Sequence, residues 1–289
     1  MFPGKIILAI GALILASLAC TINVNLPSTD VKTGPTVTDA INVPLPSDPK
    51  AITQVELNFG GGRLQLAPGA TNALVSGEAV YNVPDLKPEV SIAANQVNIR
   101  QGDLEIKGIP DFRGDIKNTW TLSFGEAPIS LTIKAGAYEG EMEFGGLALH
   151  NLTVADGAAK NTLSFSEPNL AEMDTFRYET GASQVSLSGL GYANFDRMVF
   201  QSGAGDYTLD FSGGLSRDAE VEIRSGLSNL KIIVPPGTAA RLSLKGGLTN
   251  IDRSGEWRES GGVYRLEGDG PTLTITVEMG AGNLELRTR

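Results

Sequence analysis

The 289-residue sequence predicts an all-β protein: a single β-solenoid, a parallel β-helix-like stack of coils about 22 residues long, behind a signal segment and a tether. Three observations predict it. A seven-residue string recurs, reading Gly280-Ala281-Gly282-Asn283-Leu284-Glu285-Leu286 near the C-terminus and Gly60-Gly61-Gly62-Arg63-Leu64-Gln65-Leu66 where the folded part opens. The lead glycines of the later copies fall at 181, 203, 226 and 247, and self-similarity at a fixed period of this size marks stacked repeats. Segments such as Val221-Glu222-Ile223 and Leu242-Ser243-Leu244 alternate apolar and polar residues, the period of a strand with one buried face. Glycine before each strand suits a sharp corner because it reaches positive φ without steric cost. Each unit then holds two or three short strands, and units stack about 4.8 Å apart over a continuous apolar core. An antiparallel sandwich would use the same glycine turns and is the alternative.

The first 19 residues read as a lipoprotein signal peptide. Lys5 is the only charge before Cys20, and the run 6–19 is apolar. Fourteen residues are short for a membrane span, which needs about 20, and suit a secretory h-region. Ser17-Leu18-Ala19-Cys20 is similar to a lipobox, departing from the usual leucine at Ser17 and the usual small residue at Leu18. Cys20, the only cysteine, is the candidate lipidation site; a plain signal peptide or an uncleaved anchor would leave it incidental. A single cysteine allows no internal disulfide.

Residues 20–50 read as a flexible tether, with prolines at 27, 35, 44, 46 and 49 that remove backbone donors and favour extended chain. The solenoid is expected over 51–289, opening with Ile52, Val55, Leu57 and Phe59. Gly125-Glu126-Ala127-Pro128-Ile129-Ser130-Leu131 reads as a further copy, with Asn95-Gln96-Val97-Asn98-Ile99 and Leu104-Glu105-Ile106 filling the coils before it. Between Gly125 and Gly181 the candidates are Met142-Glu143-Phe144-Gly145-Gly146 and Leu163-Ser164-Phe165. The turn-rich segments 83–88 and 108–114 read as loops, and Pro235-Pro236-Gly237 as a hard corner. The spacing from Gly247 to Gly280 is about eleven residues too long. The excess, around Trp257 and Gly261-Gly262-Val263-Tyr264, reads as an inserted hairpin that helps to cap the stack before the last repeat finishes it.

The closing Ile275-Thr276-Val277-Glu278-Met279-Gly280-Ala281-Gly282-Asn283-Leu284-Glu285-Leu286, with the hairpin before it, resembles the ending of toastrack domains. That group includes adhesin-like domains of unknown function and the C-terminal domain of LiaF-type cell-envelope stress proteins. The resemblance covers about residues 52 to 289 and implies a β-solenoid, an envelope location and non-enzymatic roles. It brings no catalytic motif.

The residues point away from chemistry. His150 is the only histidine, which excludes a multi-histidine metal site, and no Gly-x-Ser-x-Gly elbow surrounds any serine. Gly60-Gly61-Gly62 and Gly203-Ala204-Gly205 are followed by strands and not by the helix a phosphate cradle needs. Asp206 with Asp210 and Glu220 with Glu222 could pair as in β-helix hydrolases or lyases, yet alternating strands expose acids at this spacing simply to keep a face soluble. Asn229, Asn250 and Asn283 occupy one repeat position, as stacked asparagine ladders do. No aromatic platform for sugar stands out, and Trp120 and Trp257 would contribute to one only if exposed. Without residues 1–19 the chain has 22 basic and 33 acidic residues, a net of −11, which repels nucleic acid and disfavours direct binding to anionic lipid.

The expectation is a non-catalytic, extracytoplasmic lipoprotein with no catalytic, cofactor or metal residues. It would be held to a bacterial membrane through Cys20, with an envelope protein or polysaccharide as partner. The alternatives are a carbohydrate-active β-helix enzyme, marked by converging carboxylates, and a structural spacer.

Overall fold

The computed structural model describes residues 28–102, 109–111 and 116–289. The signal segment, Cys20 and residues 21–27 lie outside the described residues, as do Leu104-Glu105-Ile106 and most of segment 108–114. In chain order the strands are β1 (Ser28–Asp30), β2 (Val37–Pro44), β3 (Thr53–Pro68), β4 (Ala73–Tyr81), β5 (Pro88–Ala93) and β6 (Gln96–Gln101). Next come β7 (Ile109–Asp111), β8 (Asn118–Phe124), β9 (Ile129–Glu143), β10 (Leu149–Ser164), β11 (Met173–Ser188) and β12 (Phe195–Asp210). The rest are β13 (Ala219–Val234), β14 (Ala239–Ser254), β15 (Arg258–Ser260), β16 (Val263–Leu266) and β17 (Thr272–Thr288). β1 and β7 pair in parallel and belong to a small separate unit. The other strands form one open sheet in a unit made of Thr33–Asp103 and Ile116–Arg289.

The expected solenoid is there, with a different coil. Each 22-residue copy is one extended run of about 16 residues, folded at its glycine into two arms and followed by a short return loop. Burial alternates along both arms, as in β13, where Ala219, Val221 and Ile223 on the first arm and Leu230, Ile232 and Val234 on the second are buried, so one face of each arm packs inward. The runs pair in parallel and in register, Phe176 beside Met198 beside Val221, and Leu187 beside Leu209 beside Ile232. Aromatic rings run across the stack, Phe124, Phe144, Phe165, Phe176 and Phe195 lying 6.1–6.5 Å from one another in succession. Each such buried side chain contributes about 1.5–3 kcal/mol.

The corner glycines do something other than supply positive φ. Gly60, Gly136, Gly157, Gly181, Gly203, Gly226, Gly280 and Gly247 form a column, and none has a left-handed φ. A Cβ on Gly203 or Gly226 would stand 2.6 Å from the carbonyl oxygen of the next glycine in the column. Backbones therefore touch at the bend, and only hydrogen fits between them. Positive φ occurs two residues later, at Gly62, Gly205 and Gly282.

Four sequence expectations are corrected. Gly125 is not a column glycine: it sits between β8 and β9, against the Ala73 carbonyl, and Gly136 and Gly157 turn the two coils before Gly181. Asn95-Gln96-Val97-Asn98-Ile99 does not form a coil of its own. β6 covers the first arm of β3 and β8 covers the second, so one coil is assembled from two pieces. The tether does not extend to residue 50, because β2 pairs antiparallel with β4 and buries Ile41 and Val43. Its period-two pattern is masked in the sequence by Pro44, Pro46 and Pro49, which lie at or beyond the strand end. Finally, the last repeat does not finish the stack: β17 inserts between β13 and β14. The hairpin of β15 and β16 provides the needed crossing length, and β16 runs antiparallel along the outer edge of the first arm of β14. Pro235-Pro236-Gly237 turns the chain as expected, with Gly237 at φ +80°.

Candidate functional site

Two features stand out from the regular stack: a polar corner inside it and a hollow on its outer face. The corner lies where β9, β10 and β11 bend. In register, the residue before the column glycine is Asp156, Thr180, Ser202 and Ser225 on successive strands. Asp156 accepts hydrogen bonds from the Thr180 hydroxyl, from Tyr178 at 2.9 Å and from Tyr138 at 3.3 Å. Asn161 Nδ2 donates to the same two tyrosine oxygens, at 2.7 and 3.1 Å. Ser183 Oγ stands 2.6 Å from Thr180 Oγ1 and accepts from the Ala159 amide at 2.8 Å. Each hydroxyl thus has both a donor and an acceptor role, which a buried network needs. Burial pushes the Asp156 carboxyl up despite its hydroxyl donors; burial followed by the Asp156 charge pushes Tyr138 up, and burial followed by the charges of Tyr138 and then Asp156 pushes Tyr178 up. These hydrogen bonds join the corner residues to one another, leaving Asn161 Oδ1 buried without a partner, while Asp156 and Thr180 also line a shallow hollow at the surface.

The outer face of the first arms carries three rows of side chains across β6, β3, β9, β10, β11, β12, β13, β17 and β14. The middle row reads Asn98, Glu56, Thr132, Thr153, Arg177, Val199, Glu222, Thr276, Ser243. Its charges are answered locally: Lys134 Nζ lies 3.0 Å from Glu56, Arg197 lies 2.8 Å from Glu222, and Arg224 also contacts Glu222. Hydrogen bonds from Asn58 and Lys134 hold Glu56 below the ordinary carboxylate range, and one from Arg197 does the same for Glu222.

At the β6 end the hairpin of β5 and β6 extends this face and encloses a hollow of about 440 Å³. Two rows line it. Gln96, Gln54 and Ser130 form one, beside Ala93; Ser91, Asn98, Glu56 and Thr132 form the other. Asn58 Nδ2 donates to Glu56 Oε1 at 2.9 Å and to Asn98 Oδ1 at 3.2 Å, fixing both. The sequence had drawn attention to Asn95-Gln96-Val97-Asn98-Ile99 only as a coil. The signal passed over is that the outward positions of β3 are Gln54, Glu56 and Asn58, larger and more polar than the Ser130 and Thr132 beside them.

The residues singled out by sequence are dispersed. His150 is half-buried on β10. Glu220 and Glu222 lie along β13, Glu222 engaged by arginines, while Asp206 accepts from Asn229 Nδ2 at 2.7 Å. Among the described residues no group of three or more acids, histidines or cysteines is placed to hold a metal. The asparagine ladder exists: Asn283 donates to Asn229 at 2.7 Å, Asn229 to Asp206, and Asn250 registers beside Asn283. Trp120 and Trp257 are both buried, so neither offers a sugar platform. Cys20 lies outside the described residues.

Among known proteins, residues 32–175 match the family described as the N-terminal domain of toast_rack. No curated protein matches the chain. Solved structures similar to it include a candidate cell adhesion protein from Clostridium sporogenes, 15% identical, covering 88% of this chain and 100% of its own at a TM-score of 0.46. A candidate adhesin from Bacteroides fragilis is 12% identical, covering 90% and 100% at 0.43. A candidate lipid-binding protein from Parabacteroides distasonis is 10% identical, covering 89% and 99% at 0.37. The chain is a toast-rack-type protein that carries the N-terminal domain of toast_rack over residues 32–175, and its glycine-column stack continues beyond that domain to β17.

Proposed function

We propose that this chain is a non-catalytic envelope lipoprotein, tethered through a lipid on Cys20, that presents its solenoid as an adhesin-like or envelope-stress-related interaction surface. The observation that carries the reading is the outer face of the first arms, nine strands wide, with Glu56 and Glu222 held in ion pairs and, among the described residues, no group of three or more acids, histidines or cysteines placed to hold a metal. Such a face is read as a contact surface. It offers many equivalent polar positions at strand spacing, so a repetitive partner gains through several weak contacts at once. The toast_rack domain supports the same reading. The net negative charge steers the partner away from nucleic acid and towards envelope protein or polysaccharide.

The test uses the full chain beside Cys20→Ala. The wild type is expected to lose residues 1–19, gain an acyl-glyceryl mass, partition into detergent and bind purified envelope fractions without degrading their polysaccharide. Cleavage without lipid would remove the anchor from the reading. Binding to no envelope fraction, or turnover of envelope polysaccharide, would overturn it.

A further inference from the structure

The hollow beside β5 is a polar concavity on the outer face, and its chemistry specifies a ligand. Its volume, about 440 Å³, falls within the range of small-ligand sites. Its walls are amides, hydroxyls and one carboxylate. Glu56 Oε1 and Asn98 Oδ1 are occupied by Asn58, and Lys134 also binds Glu56. That leaves Glu56 Oε2, the Asn98 amide nitrogen, and the side chains of Gln54, Gln96, Ser91 and Thr132 without a protein partner. All six face the same space, because Ser91, Asn98, Glu56 and Thr132 share one row, with Gln96 and Gln54 in the next.

Donors and acceptors therefore alternate over a few ångströms. A ligand made of closely spaced hydroxyls, each able to donate and accept, matches such an array. Phosphate or sulfate does not: Lys134, the one cation bonded at the floor, is already committed to Glu56, and an anion site needs unspent donors of positive charge. An apolar ligand does not either, because no large apolar side chain faces in; Val90 and Ile92 register beside the inward Ile99 and Val97 and so lie on the opposite face of the hairpin.

We infer that the hollow between β5 and the β6–β3–β9 face is a binding subsite for a neutral sugar unit of a glycan. This rests on the interaction-surface reading and names a ligand class for it. Glu56 and Asn98, held by Asn58, are the orienting groups; Gln54 and Gln96 are the adaptable ones. Without an aromatic floor each sugar is held weakly, and affinity comes from successive units of one chain.

The experiment titrates the ¹⁵N-labelled full chain in detergent with methyl glycosides and tetrasaccharides of glucose, galactose, mannose and N-acetylglucosamine, following side-chain amide signals. Heparin and an extended uncharged peptide are the comparators. At least one neutral sugar should shift the Gln54, Gln96 and Asn98 amide signals saturably, with the tetrasaccharide binding more tightly than the monosaccharide. Gln54→Ala with Gln96→Ala should weaken that binding by about tenfold at unchanged melting temperature. Gln184→Ala with Gln201→Ala, elsewhere on the stack, should leave it unchanged. No shift with any sugar, shifts only with heparin or the peptide, or equal loss in both double variants would overturn the proposal. Envelope binding retained by Gln54→Ala with Gln96→Ala would sink this subsite and leave the broader function standing. Sugar binding by a chain that ignores envelopes would do the reverse.

Discussion

The bend of β9–β11 and the bend of β13 and β17 are the same backbone filled in two ways. Both fold at the glycine column, and both keep the register that sets Tyr138, Ala159, Ser183, Gly205, Ser228 and Gly282 in one line. In the first, Tyr138, Asp156, Asn161, Tyr178 and Thr180 fill the corner with hydrogen bonds among themselves. In the second, the corner holds Met279, Leu230 and Leu284, with Ser225 donating to Ser228 at 2.7 Å. The difference teaches that the glycine column fixes the path of the chain, while the filling is free as long as volume is matched and the buried hydroxyls find partners.

The comparison breaks most severely at the backbone itself. Gly282 has φ +135°, and a side chain there would collide with the Ser228 backbone. Gly282→Val should lower stability by more than about 3 kcal/mol in a denaturant titration. Gly69→Ala serves as the contrast, because at that positive-φ turn nothing stands within 4 Å of the added carbon; its cost should stay near 1 kcal/mol, the backbone strain alone.

The fillings differ next in what one hydroxyl is worth. Tyr178→Phe removes a donor from half-buried Asp156 and an acceptor from buried Asn161. Tyr207→Phe removes one donor, to the Ala204 carbonyl. Chemical denaturation should show about 2 kcal/mol lost for the first and about 1 for the second. Equal losses would mean that the corner network adds nothing beyond pairwise bonds.

The smallest expected effect is a slope with pH. Because burial raises the Asp156 carboxyl, the folded chain holds that proton more tightly than the unfolded chain. Its favourable contribution is complete below the ordinary carboxylate range and is lost as pH rises through the raised value. Asp156→Asn has no such titration, so the stability of the variant relative to wild type should climb between strongly acid and neutral pH. Glu56, Glu143, Glu222 and Glu285 are all held below their ordinary value, giving stability that is lost on acidification. They are present in both proteins and cancel from the difference.

The same contrast explains what could be read from the sequence. From Gly181 onwards the copies announce themselves because aliphatic and aromatic residues occupy the inward positions, Val185, Tyr207, Leu230 and Leu284. Gly136 and Gly157 escape notice because Gly140 and Asn161 stand at the equivalent inward places, so the period-two pattern breaks where the polar corner begins. The place of β17 could not be read at all. Its sequence is an ordinary copy, and only the hairpin that carries the chain across shows that it passes inside β14. The hollow was illegible for a related reason, since it is made by the pairing of β5 and β6 beside β3 and not by any string of residues.

The most direct test of this coil geometry and its order is disulfide trapping in a Cys20→Ala background. Glu222 registers beside Thr276, and Thr276 beside Ser243, so Glu222 and Ser243 are two strand spacings apart, roughly 9.6 Å. A disulfide needs Cα atoms within about 7 Å. Glu222→Cys with Thr276→Cys should close on mild oxidation, and Glu222→Cys with Ser243→Cys should not. Closure of the second pair without the first would mean that the repeats stack in chain order, contradicting the inserted last coil.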